Sequence, residues 1–166
     1  MSDIGQSYRV AAVRFERTLP GPIDRVWEHL TVPSKLSGWF GEDSAIEPRE
    51  GGSVRLLGGH VRGVVTQWKP RRKLTYTWNV LAPGEEESRY PESYLTLELS
   101  ERGREVLLVL THLPILERFE KQNAMGWHTF LDIVAATLNG ESVEPRASYM
   151  KRNAEKYGVD LNELAR

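Results

Sequence analysis

The chain has 166 residues, a formal net charge of −1 and no cysteine. This length suffices for one well-cored domain, and the near-zero charge argues against nucleic acid or a membrane surface as a partner. The absence of cysteine excludes disulfides, thiol catalysis and thiolate metal sites. Residues 1–8 lack the apolar stretch of a signal peptide, and no segment reaches the roughly 20 apolar residues of a membrane helix. We therefore expect a cytoplasmic protein.

The first part of the chain predicts a strand and two short helices. The strand is expected over residues 8–19, where Pro20-Gly21-Pro22 ends it and prepares the first turn of a helix. Apolar side chains then recur at helical spacing. They are Ile23, Val26, Trp27 and Leu30. Pro33 stops this helix, and a second short one is expected from Ser34 to about Gly41.

Six strands should follow, because the apolar period changes to two. We expect them at residues 44–48, 53–57, 60–68, 74–80, 95–99 and 105–111. Gly58-Gly59 between the second and third of these predicts a two-residue hairpin turn. Tyr76 and Trp78 alternate with polar residues, which gives the fourth strand an aromatic inner face. Short connections between consecutive strands indicate an antiparallel meander.

A long amphipathic helix is predicted from Leu116 to Asn139. Its expected inner face repeats at three- and four-residue steps. The members are Leu116, Phe119, Asn123, Trp127, Phe130, Leu131, Val134 and Leu138. Asn123 is the one polar member. Gly126 costs about 1 kcal/mol relative to alanine in the middle of a helix, so we expect another part of the backbone to approach closely there.

The chain divides into a main domain, residues 1–140, and a C-terminal helical appendix, residues 141–166. In the appendix, Gly158 is expected to end a helix, and Asp160 is expected to cap a last short one. The predicted apolar face is Ala147, Met150, Ala154 and Tyr157. A short isolated helix is unstable in water. The appendix should therefore dock on its own domain or on a second chain, as in a homodimer.

These elements predict an α+β fold with the order β-α-α-β6-α and helices on one face of a single antiparallel sheet. Several segments, in this order, resemble the activator of Hsp90 ATPase homologue-like family of the START/Bet v 1 helix-grip (SRPBCC) superfamily. They are residues 22–30, Trp39-Phe40, Gly51-Gly52, Gly63, residues 69–78, residues 108–112 and Gly126-Trp127. The resemblance spans about residues 8–139.

The resemblance implies a curved antiparallel sheet that grips a long C-terminal helix, often around an apolar cavity. The superfamily includes lipid and hormone binders, polyketide cyclases and modules of the co-chaperone type. Fold alone does not choose among these functions.

Eight residues are candidates for a ligand pocket, since such pockets are mostly apolar with a few placed polar groups. They are Trp39, Phe40, Tyr76, Trp78, His112, Asn123, Trp127 and Phe130. His112 and Asn123 would supply the polar groups. The alternative is that the aromatic side chains simply fill the core.

No histidine pair has a metal-ligand spacing, so we expect neither a metal nor a cofactor. A catalytic role would need a general acid or base in the pocket, and His112, Glu120 and Asp132 are the candidates. Our leading hypothesis is a module that binds a small hydrophobic molecule between the sheet and the long helix. The alternatives are an enzyme of the cyclase or hydrolase type and, by family analogy, an interaction module with a chaperone partner.

Overall fold

The computed structural model describes residues 3–164, which form seven strands and four α-helices in this part of the chain. The strands are β1 (Ala11–Pro20), β2 (Ala45–Ile46), β3 (Ser53–Leu56), β4 (Val61–Lys69), β5 (Lys73–Val80), β6 (Ser93–Arg102) and β7 (Glu105–Ile115). The helices are α1 (Ile23–Thr31), α2 (Pro33–Phe40), α3 (Glu120–Leu138) and α4 (Arg146–Tyr157). Short 3-10 turns lie at Leu57–Gly59, Glu117–Phe119 and Leu161–Glu163.

All seven strands belong to one antiparallel sheet in the order β1-β7-β6-β5-β4-β3-β2. The chain therefore runs as a meander from β2 to β7. Strand β1 pairs with β7 and forms the edge of the sheet opposite β2. This arrangement confirms the predicted α+β helix-grip fold. No helix in residues 3–164 is long and apolar enough to cross a membrane.

The register places a row of buried side chains across the inner face of the sheet. Tyr76 of β5 pairs with Val65 of β4 and with Leu95 of β6, and Leu95 pairs in turn with His112 of β7. Val13 of β1 ends the row opposite His112. Residues directly opposite each other on neighbouring strands share a face. Two polar side chains, Tyr76 and His112, therefore lie in the core on either side of one leucine.

Helix α3 begins later than predicted and buries two faces rather than one. Leu116 has extended backbone angles and is 38% exposed, so it does not continue the inner stripe. The inner face keeps four of the predicted residues: Trp127, Leu131, Val134 and Leu138. A second buried face, which the single-stripe interpretation missed, consists of Met125, Thr129, Ile133 and Ala136. Phe130 is only half-buried, although full burial was the expectation.

The second face of α3 is covered by α4 of the same chain. Asn153 of α4 is buried and donates from Nδ2 to Thr129 Oγ1 at 3.2 Å and to Asp132 Oδ2 at 3.0 Å. Asp132 also accepts from Arg17 of β1 at 3.0 Å. The appendix therefore docks on its own domain. Its buried face is centred on Tyr149 and Asn153, whereas Ala147 of the predicted face is exposed.

Two glycine predictions were wrong and a third was correct. Gly58-Gly59 lies in a 3-10 turn over Leu57–Gly59 instead of a two-residue hairpin, with Leu57 at φ 54°. At Gly126, an added Cβ would meet no atom within 4 Å, so no backbone approaches the helix there. Gly158 does end α4 in the left-handed conformation, at φ 66°.

Candidate functional site

Five aromatic side chains from α2, β5 and α3 meet under the middle of the long helix. We call Trp39, Phe40, Trp78, Trp127 and Phe130 the aromatic cluster. Phe40 lies at its centre, with ring centroids 3.9 Å from Trp39, 4.9 Å from Phe130 and 5.9 Å from Trp127. Trp78 is 5.1 Å from Trp127 and 6.2 Å from Phe40. The rings contact one another, and the predicted aromatic residues are therefore brought together.

Local structure fixes the position of each part of this cluster. Pro33 occupies the first turn of α2, and the helix ends at Gly41, whose φ of 96° favours glycine. Trp39 donates from Nε1 to the carbonyl of His29 in α1 at 2.7 Å. Trp78 enters from β5, because strand alternation places it on the same face as Tyr76. Phe130 and Trp127 are three residues apart on α3 and therefore share a face.

His112 connects this cluster to the sheet through a chain of hydrogen bonds. Trp127 donates from Nε1 to His112 Nδ1 at 2.9 Å. A neutral imidazole that accepts at Nδ1 carries its proton on Nε2. His112 Nε2 then donates to Ser93 Oγ at 2.8 Å, which leaves the Ser93 hydroxyl to donate to the Trp78 carbonyl at 3.3 Å. Both ring nitrogens are occupied.

Burial lowers the pKa of His112 from 6.5 to about 4, and the neighbouring Asn123 side chain opposes part of this shift. Desolvation disfavours the charged form of a histidine. The ring is therefore neutral at physiological pH. A general base works best with a pKa near the working pH and a free lone pair, and His112 has neither property.

Two buried polar atoms beside the cluster lack a hydrogen-bond partner within residues 3–164. They are Asn123 Oδ1, which lies close enough to His112 to raise its pKa but makes no hydrogen bond of normal geometry, and the hydroxyl oxygen of Tyr76. Tyr76 is fully buried, and desolvation raises the pKa of its phenol. Leaving a buried donor or acceptor unpaired costs about 1–3 kcal/mol, and buried polar groups are satisfied in most native structures. Both atoms can therefore receive a polar group from a guest or from a water molecule.

Two depressions in the described surface lie away from this cluster. One of about 440 Å³ is lined by Ile23, residues 70–72 and residues 99–101. The other, of about 520 Å³, lies between residues 57–62 and residues 81–86. The predicted pocket beneath α3 is occupied in this structure by the aromatic side chains themselves. A guest there would need Trp39, Phe40 or Phe130 to move.

The other catalytic candidates lie outside the cluster. Glu120 is exposed on the first turn of α3. Asp132 faces α4 and β1, where it accepts hydrogen bonds from Asn153 and Arg17. Within residues 3–164 there is also no group of three or more His, Asp or Glu side chains arranged to hold a metal.

The sequence interpretation missed two residues of this region. Ser93 lies on the inward-facing register of β6 with Leu95 and Leu97, so strand alternation extended by one step identifies it. Arg146, the first residue of α4, donates from Nη2 to the Trp39 carbonyl at 2.7 Å, and its guanidinium lies 5.0 Å from the centre of the Phe130 ring. No sequence pattern indicates that contact, because it joins residues 107 positions apart.

The family model for Activator of Hsp90 ATPase homolog 1-like proteins matches residues 20–139, which is more than half of the chain. The chain belongs to this family. The match covers α1 to α3 and therefore the whole aromatic cluster, and the resemblance described from the sequence is confirmed. Helix α4 lies outside the matched residues.

Individual relatives agree with this assignment. The "Activator of 90 kDa heat shock protein ATPase homolog" of Dictyostelium discoideum is 32% identical over 113 residues, which is 66% of this chain and 28% of that protein. The chain therefore matches only about a quarter of this curated relative's length. The crystal structure of CalU16 from Micromonospora echinospora is 26% identical, with a TM-score of 0.68, and covers 92% of this chain and 97% of its own.

A third comparison bears on the fold alone. The solution structure of the Aha1 dimer from Colwellia psychrerythraea is 18% identical, with a TM-score of 0.62, and covers 77% of this chain and 96% of its own.

Proposed function

We propose that this protein binds a small hydrophobic molecule between the inner face of the sheet and α3, at the aromatic cluster. The observation that carries the proposal is the pair of buried, unpartnered polar atoms, Asn123 Oδ1 and the Tyr76 hydroxyl, beside five aromatic rings. Ligand sites are largely apolar and carry a few polar groups that fix orientation. This combination differs from an ordinary core, in which buried polar groups are paired.

The two polar atoms have different requirements. An amide oxygen only accepts hydrogen bonds, whereas a phenol can donate as well as accept. A ligand with a hydroxyl or amide group on an apolar body would satisfy Asn123. His112 would hold Trp127 in place rather than react with the ligand, because Trp127 and Ser93 occupy both of its ring nitrogens.

A guest would enter past the end of α2. Trp39 and Phe40 are the last aromatic residues of that helix, and Gly41 follows them. Glycine gives the backbone conformational freedom at this point. Movement of this short segment would open the cluster without disturbing the sheet, since Tyr76 and Trp78 lie on a central strand.

Isothermal titration calorimetry tests this proposal with flat and aliphatic hydrophobic alcohols and amides. We expect micromolar affinity and quenching of tryptophan fluorescence. Asn123→Leu should weaken the hydroxyl- or amide-bearing compounds more than apolar analogues, because it removes one hydrogen-bond acceptor at an otherwise apolar site. The matched control is Asn139→Leu, which makes the same substitution at an exposed position at the end of α3, away from the cluster. If the panel gives neither heat nor a thermal shift, the binding proposal is wrong.

A second candidate is a protein-interaction role with a chaperone or a second copy as partner. The names of the Dictyostelium and Colwellia relatives favour it, one being called a heat shock protein ATPase activator homolog and the other a dimer. The outer face of the sheet also exposes Val64, Tyr94 and Leu113, and the last two are cross-strand neighbours. Light scattering of the full chain tests the dimer. A pulldown with purified Hsp90 tests the chaperone partner.

An enzymatic function has less support. The pKa of His112 is lowered to about 4, and its lone pair at Nδ1 accepts from Trp127. Glu120 and Asp132 lie outside the aromatic cluster, as described above. We therefore favour binding over cyclase- or hydrolase-type catalysis.

A further inference from the structure

Arg146 brings a positive charge from α4 to the edge of the aromatic cluster. Its guanidinium lies over the Phe130 ring at 5.0 Å, a distance typical of a cation–π contact. Its Nη2 donates to the Trp39 carbonyl at 2.7 Å. A Cβ added to Gly41 would lie 3.9 Å from the same nitrogen. The arginine therefore sits at the end of α2, beside the segment through which we propose that a ligand enters.

This charge has no anionic partner in the described part of the chain. No carboxylate of residues 3–164 forms an ion pair with Arg146, although seven other arginine or lysine side chains in this range do pair with carboxylates. Glu144, two residues before it, pairs with Arg152 instead. Burial lowers the pKa of Arg146, with no carboxylate opposing the shift. A guanidinium has five N–H donors, and the Trp39 carbonyl accounts for one of them.

There is also open space on α3 one helical turn from the ring that Arg146 covers. Gly126 lies one helical turn before Phe130, and a methyl group there would touch nothing within 4 Å. Phe130, Trp78 and Asn123 are each half-buried, so one edge of the cluster reaches the surface on this side of α3. A ligand lying along the helix could place one end near Asn123 and the other near Arg146.

We propose that the ligand is a hydrophobic carboxylic acid whose carboxylate pairs with Arg146 while its apolar body lies on the aromatic cluster. This inference rests on the proposed function and specifies the chemical class of its ligand. A planar guanidinium matches a carboxylate by two parallel N–H···O bonds. Because Arg146 lies outside residues 20–139, this acid specificity belongs to the C-terminal helix of this chain and not to the segment matched by the family model.

The test compares two probes that differ only in the head group, 4-phenylbutanoate and 4-phenylbutan-1-ol. Calorimetry near neutral pH, where the acid is ionised, measures both affinities on the full-length protein. We expect the acid to bind about 10- to 100-fold more tightly than the alcohol, which is the range for a hydrogen-bonded charge. Arg146→Gln should abolish this preference, measured as the ratio of the acid and alcohol affinities within that variant. Arg146→Lys should retain part of it, because the charge remains but the paired geometry is lost.

Lys151→Gln is the matched control, since it removes one exposed positive charge from the same helix. It should leave the acid preference intact. Because the preference is a ratio within each variant, a loss of stability in Arg146→Gln does not obscure it. If the alcohol binds wild type as well as the acid does, or if Arg146→Gln keeps the preference, Arg146 only holds α4 to α2 and the acid proposal is overturned. If neither probe binds wild type, the proposed binding function fails as well.

Discussion

His112 is a buried histidine with two well-defined hydrogen-bond partners, so its titration is coupled to folding. Its pKa is about 4 in the folded chain, against 6.5 for an ordinary histidine. Between these values the unfolded chain binds more protons than the folded one. The neutral His112 ring therefore contributes its full share to the free energy of unfolding above about pH 6.5. This contribution is lost as the pH falls toward about 4.

We expect this coupling to be visible when wild type is compared with His112→Gln, which cannot titrate. The free-energy advantage of wild type should shrink by about 3 kcal/mol between neutral pH and pH ~4, from a pKa difference of about 2.5 units. Urea unfolding at a series of pH values measures it. Parallel stability curves for the two proteins would contradict the coupling. Nitrogen NMR should also report the Nε2–H tautomer at neutral pH.

Asn123 tests whether an unpaired polar atom is kept for function at the expense of stability. Because its Oδ1 makes no hydrogen bond of normal geometry within residues 3–164 and only approaches His112, Asn123→Leu should be neutral or stabilising by about 1 kcal/mol. The same substitution should weaken ligand binding, as argued above. Chemical denaturation measures the first effect. A loss above about 2 kcal/mol would mean that the amide has a structural partner, such as an ordered water.

At the scale of single elements, α3 packs against the sheet with one face and against α4 with the other. A search for one apolar stripe stops at the face that carries Trp127, although the opposite face also carries the apolar Met125 and Ile133. The side chains of that face that bond to α4, Thr129 and its partner Asn153, are polar and give no hydrophobic period. For the same reason the sequence did not predict that Arg146 lies on Phe130.

Trp127 is the stripe residue with the largest expected effect on stability. It is 3% exposed, contacts Phe40 and Trp78, and donates to His112. Trp127→Ala should cost about 3–5 kcal/mol, as for other buried aromatic residues. Thermal or urea unfolding provides the measurement. A cost below about 1 kcal/mol would contradict the packing of this face against the sheet.

The docking of α4 depends on Asn153. Its side chain is 1% exposed and bonds Thr129 and Asp132 through one nitrogen. Asn153→Leu should destabilise the protein by about 1–3 kcal/mol, because Asp132 and Thr129 lose a buried partner. Exposed Lys151→Leu on the same helix is the control and should change stability by less than about 0.5 kcal/mol. Equal effects of the two substitutions would show that α4 is held by other contacts.

For the molecule as a whole, the sequence predicted the sheet well because strand alternation and turn residues are local signals. The fourth predicted strand and its aromatic inner face, with Tyr76 and Trp78, agree with β5. The inner positions of α3 were also predicted from periodicity. The hydrogen bonds that distinguish this core from any other, from Trp127 to His112 and on to Ser93, depend on register between distant strands, which composition and spacing do not encode.

The central claim is that a ligand binds at the aromatic cluster, and the five tryptophans allow a direct test. Trp39, Trp78 and Trp127 belong to the cluster, whereas Trp27 and Trp68 pair with each other at 5.1 Å, apart from those rings. We would follow the five indole N–H signals by nitrogen-15 NMR during titration with 4-phenylbutan-1-ol. Saturable shifts at the three cluster tryptophans, with Trp27 and Trp68 unchanged, are the predicted result. The absence of saturable shifts, or equal shifts at all five indoles, would contradict the account.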